Sequence, residues 1–166
     1  TIECFDKAIT LNPKKLDAYY NKATSLRNLK RYEEAIKTFD GVLSLNSDDY
    51  SAYFDKGTCL ANLQRHKEAI ECFLKARNIQ PFKPDLYVSI GCCLNRLQEF
   101  DEALDYFRTA FELNLRTANL YFNKGNSLLN LKRYDEAIES YNKAISLEPK
   151  NTDSYINKAE VLREQE

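Results

Sequence analysis

Asn21, Asp55, Ser89, Asn123 and Asn157 stand at one fixed interval of 34 residues. An amide side chain offers two N–H donors and one oxygen acceptor. A row of such groups can pair with the backbone of an extended peptide whatever its sequence. A second column runs beside the first and is apolar: Tyr20, Phe54, Val88, Phe122 and Ile156. One helical turn on come Thr24, Thr58, Cys92, Asn126 and Glu160, and then Asn28, Asn62, Arg96 and Asn130. Asparagine is a poor helix former in helix interiors, so its repetition there carries a propensity cost. The chemistry on offer is non-covalent: backbone pairing from the polar columns, anchoring from the aromatic one. Both columns also have a plainer reading. Asparagine is common on exposed helical faces, and Tyr20, Phe54 and Phe122 can simply pack between neighbouring elements.

Other reactive side chains do not assemble. His66 falls in a column with Tyr32, Phe100 and Tyr134, where a ring packs, and no general base is expected there. The acidic pairs Glu33-Glu34, Asp101-Glu102 and Asp135-Glu136 recur with the period, and open helices where carboxylates favour the positive helix end. The basic pairs Lys30-Arg31 and Lys132-Arg133 lie in short links, as a solvated face. Five cysteines, an odd number with no C-x-x-C pair, imply reduced thiols and hence a cytoplasmic or nuclear setting. With a single histidine, a metal site is not expected, and no glycine-rich phosphate loop or other cofactor motif is present. Lys+Arg 24 against Asp+Glu 25 leaves a net charge of −1, without the basic excess that nucleic acid or an anionic membrane would need. No apolar run approaches the roughly 20 residues of a membrane span.

The elements that carry these columns follow from the same period. Tyr19, Tyr53, Tyr87, Tyr121 and Tyr155 step by 34, as do Ala35, Ala69, Ala103 and Ala137. Within residues 16–49, Tyr19, Ala23 and Leu26 form one helical stripe; Ala35, Ile36, Phe39, Val42 and Leu43 form a second. The link between them, Asn28-Leu29-Lys30-Arg31, is short, which makes the two helices antiparallel neighbours. Small residues recur at Ala23, Gly57, Gly91, Gly125 and Ala159. Glycine inside a helix costs about 1 kcal/mol against alanine. The column predicts a large side chain from the partner helix packed over it. Pro13, Pro81 and Pro149 mark junctions, with Pro84 just beyond the second; Asn46-Ser47-Asp48-Asp49 brings N-cap chemistry to the junction without a proline. The predicted partition is a lone second helix in residues 1–15, complete units at 16–49, 50–83, 84–117 and 118–151, and a lone first helix in 152–166. A unit of this kind cannot bury its apolar face alone, so neighbours bury it.

These residues resemble the tetratricopeptide repeat over essentially the whole chain. The fourth unit reads Tyr121, Lys124-Gly125, Leu128, Ala137, Tyr141, Ala144 and Pro149. Tyrosine or phenylalanine replaces the usual first tryptophan. Lys22, Lys56, Lys124 and Lys158 occupy the usual leucine column, where they are expected to lay their stems on the packed surface and put the ammonium in water. The resemblance implies an all-α, right-handed superhelical solenoid of antiparallel helix pairs, four complete repeats with a half repeat at each end. It also implies a concave groove lined by the first helices. The groove set is Tyr20, Asn21, Asn28, Phe54, Asp55, Asn62, Ser89, Arg96, Phe122, Asn123, Asn126, Asn130 and Asn157. Asn21, Asn123 and Asn157 are similar to the asparagine ladder by which O-linked N-acetylglucosamine transferase holds peptide backbones; Asp55 and Ser89 interrupt it. The cationic clamp of chaperone-binding members is not matched: its places hold Tyr20, Thr24, Asp55, Asp85 and Ser89, or Phe54, Thr58, Ser89, Asn119 and Asn123 one unit later. A carboxylate clamp needs positive charge.

The expected function is a non-enzymatic adaptor that binds a peptide of a protein partner in that groove. A structural segment of a large assembly, or a regulatory arm of a multidomain enzyme, remains the alternative. The chain begins with Thr1 in mid-helix pattern and looks like part of a longer protein. Apolar residues at both ends, Ile2, Phe5 and Ile9, then Tyr155, Ala159 and Leu162, allow head-to-tail self-association through residues 1–15 and 152–166.

Overall fold

Apolar residues at helical spacing, separated by three- to five-residue polar links, become ten α-helices among the described residues. The structure, a computed structural model, describes residues 1–165. The helices are α1 (Ile2–Leu11), α2 (Leu16–Asn28), α3 (Tyr32–Leu45), α4 (Tyr50–Asn62), α5 (His66–Ile79), α6 (Pro84–Arg96), α7 (Phe100–Glu112), α8 (Ala118–Asn130), α9 (Tyr134–Leu147) and α10 (Thr152–Glu164). They form two compact units: one spans Thr1–Phe82 and holds α1 to α5, the other starts at Lys83 and holds α6 to α10.

Inside each unit the main packing is between the helices of a hairpin: α2 on α3 and α4 on α5, then α6 on α7 and α8 on α9. The small-residue column explains the closeness. A Cβ at Gly57 would lie 2.7 Å from the Phe73 ring, at Gly91 2.5 Å from Phe107, and at Gly125 2.6 Å from Tyr141. Each ring follows its glycine by sixteen residues and is fully buried. Ala23 takes the equivalent place with Phe39, and both are fully buried.

At the starts of α4, α8 and α10 a side chain accepts a free N–H group of the first turn. Asp49 Oδ1 accepts the Ala52 N–H at 2.9 Å, Thr117 Oγ1 that of Leu120 at 3.3 Å, and Asn151 Oδ1 that of Ser154 at 3.1 Å. Pro84 opens α6, where its missing N–H costs nothing. The hairpin turns use left-handed residues of types that do not favour that conformation: Lys30 (φ 59°), Gln64 (60°), Gln98 (63°) and Lys132 (57°). In each turn the next N–H reaches back five residues: Arg31 to Leu26 O, Arg65 to Leu60 O, Glu99 to Leu94 O and Arg133 to Leu128 O, at 2.9–3.0 Å. This is a Schellman closure, for which glycine is the usual residue.

Two of the column lysines also gain a partner at the surface: each reaches an exposed carboxylate of the preceding helix, Lys22 that of Asp6 and Lys56 that of Asp40, both at 2.5 Å. A lysine stem lying across a helix seam can present its ammonium to a carboxylate on the far side.

Candidate functional site

In the second unit, α8 contacts both α6 and α10, so the three helices share one face. There the chain forms a cavity of about 520 Å³ lined by Cys92, Asn95, Arg96, Phe100, Asn119, Phe122, Asn123, Asn126, Leu129, Asn130 and Asn157. That volume lies within the usual range of ligand sites. Of the sequence-predicted residues, Arg96, Phe122, Asn123, Asn126, Asn130 and Asn157 meet in this cavity. Five of its walls are asparagines of α8 or α10, and Arg96 is the charged residue of the lining.

Asn126 is the fixed point. Its Oδ1 accepts the Tyr141 O–H and the Asn157 Nδ2–H, both at 2.8 Å. Burial pushes the Tyr141 phenol up to about 12, so it stays a neutral donor. Asn123 gives its Nδ2–H groups to Asn119 Oδ1 at 2.7 Å and Asn119 O at 2.9 Å, and Asn130 Nδ2 donates to Asn126 O at 2.8 Å. Asn95 joins α6 to α8: its Nδ2 donates to Asn123 O at 3.0 Å and its Oδ1 accepts the Ser127 hydroxyl at 2.6 Å. With these bonds made, Asn123 Oδ1 is left as an acceptor and Asn126 Nδ2 as a donor, beside the Arg96 guanidinium. A peptide backbone needs both kinds. Cys92 lines the same cavity, and burial pushes its thiol up to about 12, which leaves it neutral and unsuited to nucleophilic chemistry.

Phe122 is half-buried and tilts against Tyr141, ring centroids 6.1 Å apart. Phe54 likewise tilts against Phe73 (5.6 Å), and Tyr20 meets Phe39 edge-on (6.0 Å). The aromatic column therefore packs on the second helix of its own hairpin while keeping one edge open. Val88 is buried and Ile156 is exposed.

The first unit differs. Tyr20 and Asn21 line a shallower cavity of about 320 Å³ with Leu16, Asp17, Asp49 and Ser51. Asp55 is 8% exposed, and its carboxylate is held within the fold: Oδ2 accepts the Tyr20 O–H at 2.9 Å and Oδ1 binds Arg27. It links α2 to α4. Burial first, and then the Asp55 charge, push the Tyr20 phenol up to about 12. Asn28 and Asn62 are exposed at helix ends, and Asn62 Nδ2 returns to Thr58 O at 2.8 Å. Ser89, in the second unit, donates to Asp85 O at 3.0 Å and is not part of the large cavity.

Sequence reasoning did not single out Asn95 or Ser127. Their columns gave no clear signal: Ser127 shares its column with Ser25, Cys59, Cys93 and Val161, and Asn95 with Arg27, Ala61, Leu129 and Arg163. Among the described residues no His, Cys, Asp or Glu group is placed to hold a metal ion. None of their helices is long and apolar enough to cross a membrane.

Tetratricopeptide-repeat family models match residues 2–49 and 20–84, 84–117 and 118–151. An uncharacterised protein of Methanocaldococcus jannaschii is 62% identical over 34 residues, 20% of this chain, and the match spans 40% of that relative's length. Among solved structures, YrrB, described as a TPR protein with an unusual peptide-binding site, is 28% identical with a TM-score of 0.80, over 99% of this chain and 85% of its own. The MamA protein of Desulfovibrio magneticus RS-1 is 20% identical (TM-score 0.84, 91% and 86% covered), and a chain of the APC/C hetero-tetramer Cut9-Hcn1 is 21% identical (TM-score 0.81, 99% and 33%). These last two share the fold. Columns at a 34-residue step, hairpins locked by a ring over a small residue, and family models reaching from residue 2 to residue 151 lead to one conclusion: this chain belongs to the tetratricopeptide-repeat family.

Proposed function

We propose that this chain is a protein-interaction segment without catalysis of its own, and that its second unit holds an extended peptide of a protein partner. The observation that carries this reading is the amide-lined cavity between α6, α8 and α10. Asn126 is fixed there by Tyr141 and Asn157, and Asn123, Asn126 and Arg96 keep pairing capacity to spare. The open edge of Phe122 supplies the apolar contact. The peptide-binding description of YrrB supports the same class of ligand. Tyr20 and Asn21 form a lesser site in the first unit. On this reading the chain is four complete repeats, 16–49 to 118–151, flanked by half repeats. Peptides selected from a display library on the wild-type protein should bind about tenfold or more weakly to the variant Arg96→Gln, Asn123→Ala by fluorescence anisotropy, since two polar contacts are lost. Both substitutions are on helix surfaces, so circular dichroism should stay unchanged. Selected peptides that bind the folded variant as well as wild type would remove the cavity from the function.

A second reading rests on α10, whose Tyr155, Ile156 and Leu162 are 49%, 62% and 46% exposed. The α1 helix of a second copy would bring Phe5 to Ala159, as Phe39 comes to Ala23 within the chain. Weight-average mass in sedimentation should then rise with concentration; a constant monomer would dismiss head-to-tail pairing.

A further inference from the structure

Charge pairing across the helix seams follows one rule in the first unit and breaks it in the second. Lys22 on α2 and Lys56 on α4 each bind an aspartate sixteen residues earlier, Asp6 and Asp40. Lys124 on α8 stands in the same column, and sixteen residues before it is Arg108 on α7. Two cations meet at this seam, so no internal ion pair closes it. Arg108 turns instead to Asp105 on its own helix at 2.5 Å, a pair exposed on both sides. Lys124 makes no ion pair or hydrogen bond among the described residues.

The seam opens into a cavity of about 280 Å³ between α7, α8 and the start of α9. Behind it lie the buried Phe107 and Leu120; the half-buried Leu104 and Tyr121 and the exposed Phe111 give it accessible apolar surface. Arg108 and Lys124 stand in the lining with the Arg133–Glu136 pair. Three cations face one carboxylate in the lining, and with Asp105 on Arg108 counted too the seam keeps a net positive charge. An apolar wall beside Lys124, which has no ion partner, and Arg108, whose partner is an exposed aspartate three residues back on its own helix, favours a ligand with an apolar body and a negative group, because a charge-assisted bond gains strength as water is excluded. The chain itself indicates which anion: at the two equivalent seams a carboxylate fills this place.

We propose that the α7–α8 seam is a docking site for an acidic peptide segment, whose apolar side chain lies against Leu104, Phe111 and Tyr121 and whose carboxylate pairs with Lys124 and Arg108. This does not rest on the amide-lined cavity, which shares none of these residues. The partner segment joins acidic and large apolar residues, in contrast to the sequence-tolerant backbone pairing of the asparagine cavity.

The test uses two capped tetrapeptides, one with leucine and phenylalanine flanked by glutamates, the other with the glutamates replaced by glutamines. Binding is mapped by amide chemical shifts on the isotopically labelled chain. The acidic peptide is expected to move resonances of α7 and α8 around Arg108 and Lys124 and to bind about tenfold more tightly than the neutral one, the worth of one charge-assisted hydrogen bond. Lys124→Gln should remove that advantage. Arg108→Asp supplies the internal acid found at the other seams and should abolish binding while the fold stays intact. Equal binding of the two peptides, shifts centred on Asn123 and Asn157, or undiminished binding to the folded Arg108→Asp variant would each overturn the proposal. Because the mapped residues differ, its failure is distinct from failure of the asparagine cavity.

Discussion

Replacing Tyr141 by alanine is expected to cost the second unit about 3–5 kcal/mol, the usual range for removing a buried aromatic ring. The ring is fully buried, lies over Gly125, and packs on Phe122. The three atoms nearest a Cβ at Gly125 all belong to this ring, so its removal is expected to leave a cavity there. Tyr141→Phe keeps the ring and removes only the hydroxyl bonded to Asn126, and should cost about 1 kcal/mol, the net worth of one hydrogen bond. Urea unfolding followed by helical signal separates the two. A loss below about 1 kcal/mol for the alanine variant would show that the neighbours collapse into the space and that the ring is not what locks the α8–α9 hairpin.

Glycine at the four left-handed turn positions should act in the opposite direction. Lys30, Gln64, Gln98 and Lys132 hold φ between 57° and 63°. A side chain there costs roughly 1–2 kcal/mol, while glycine gives back up to about 1 kcal/mol through the freer unfolded chain. Each substitution should therefore gain about 0.5–1 kcal/mol. The four turns belong to four hairpins, so their effects should add. The variant Lys30→Gly, Gln64→Gly, Gln98→Gly, Lys132→Gly is expected to gain about 2–4 kcal/mol and to melt roughly 5–15 °C higher. Thermal unfolding by circular dichroism checks it; an unchanged melting temperature would mean that the Schellman bonds already offset the backbone cost.

Local features of this fold were legible in the sequence, and features set by a neighbour across a seam were not. The ring over the small column could be anticipated because Gly57 and Phe73 sit in one hairpin, and the cap at Asp49 because N-cap chemistry depends on a few consecutive residues. The fate of Asp55 could not. It stands in the same column as Asn21 and Asn123, yet it is bound by Tyr20 and Arg27 of the preceding first helix, a register that no 34-residue column displays. Asn95 escaped notice for the same reason: its partners Ser127 and Asn123 belong to the next hairpin. The turn conformations were hidden differently. Lysine and glutamine do not announce a left-handed backbone as glycine would. The lysine column pointed to packed stems, but only a comparison sixteen residues back would have revealed Asp6 and Asp40 as partners, and Arg108 as the exception.

The spacing of the ring over the small residue has a consequence for synthesis. Gly57 and Phe73, Gly91 and Phe107, and Gly125 and Tyr141 are each only sixteen residues apart. Their contact needs no distant strand and no closing of a long loop, the costs that slow folding in chains of non-local topology. As this chain leaves the ribosome, the residues of a hairpin's own lock are both present once some thirty residues have emerged, and stacking of the next hairpin then secures it. Apolar surface left waiting during translation is then mainly that of the newest hairpin.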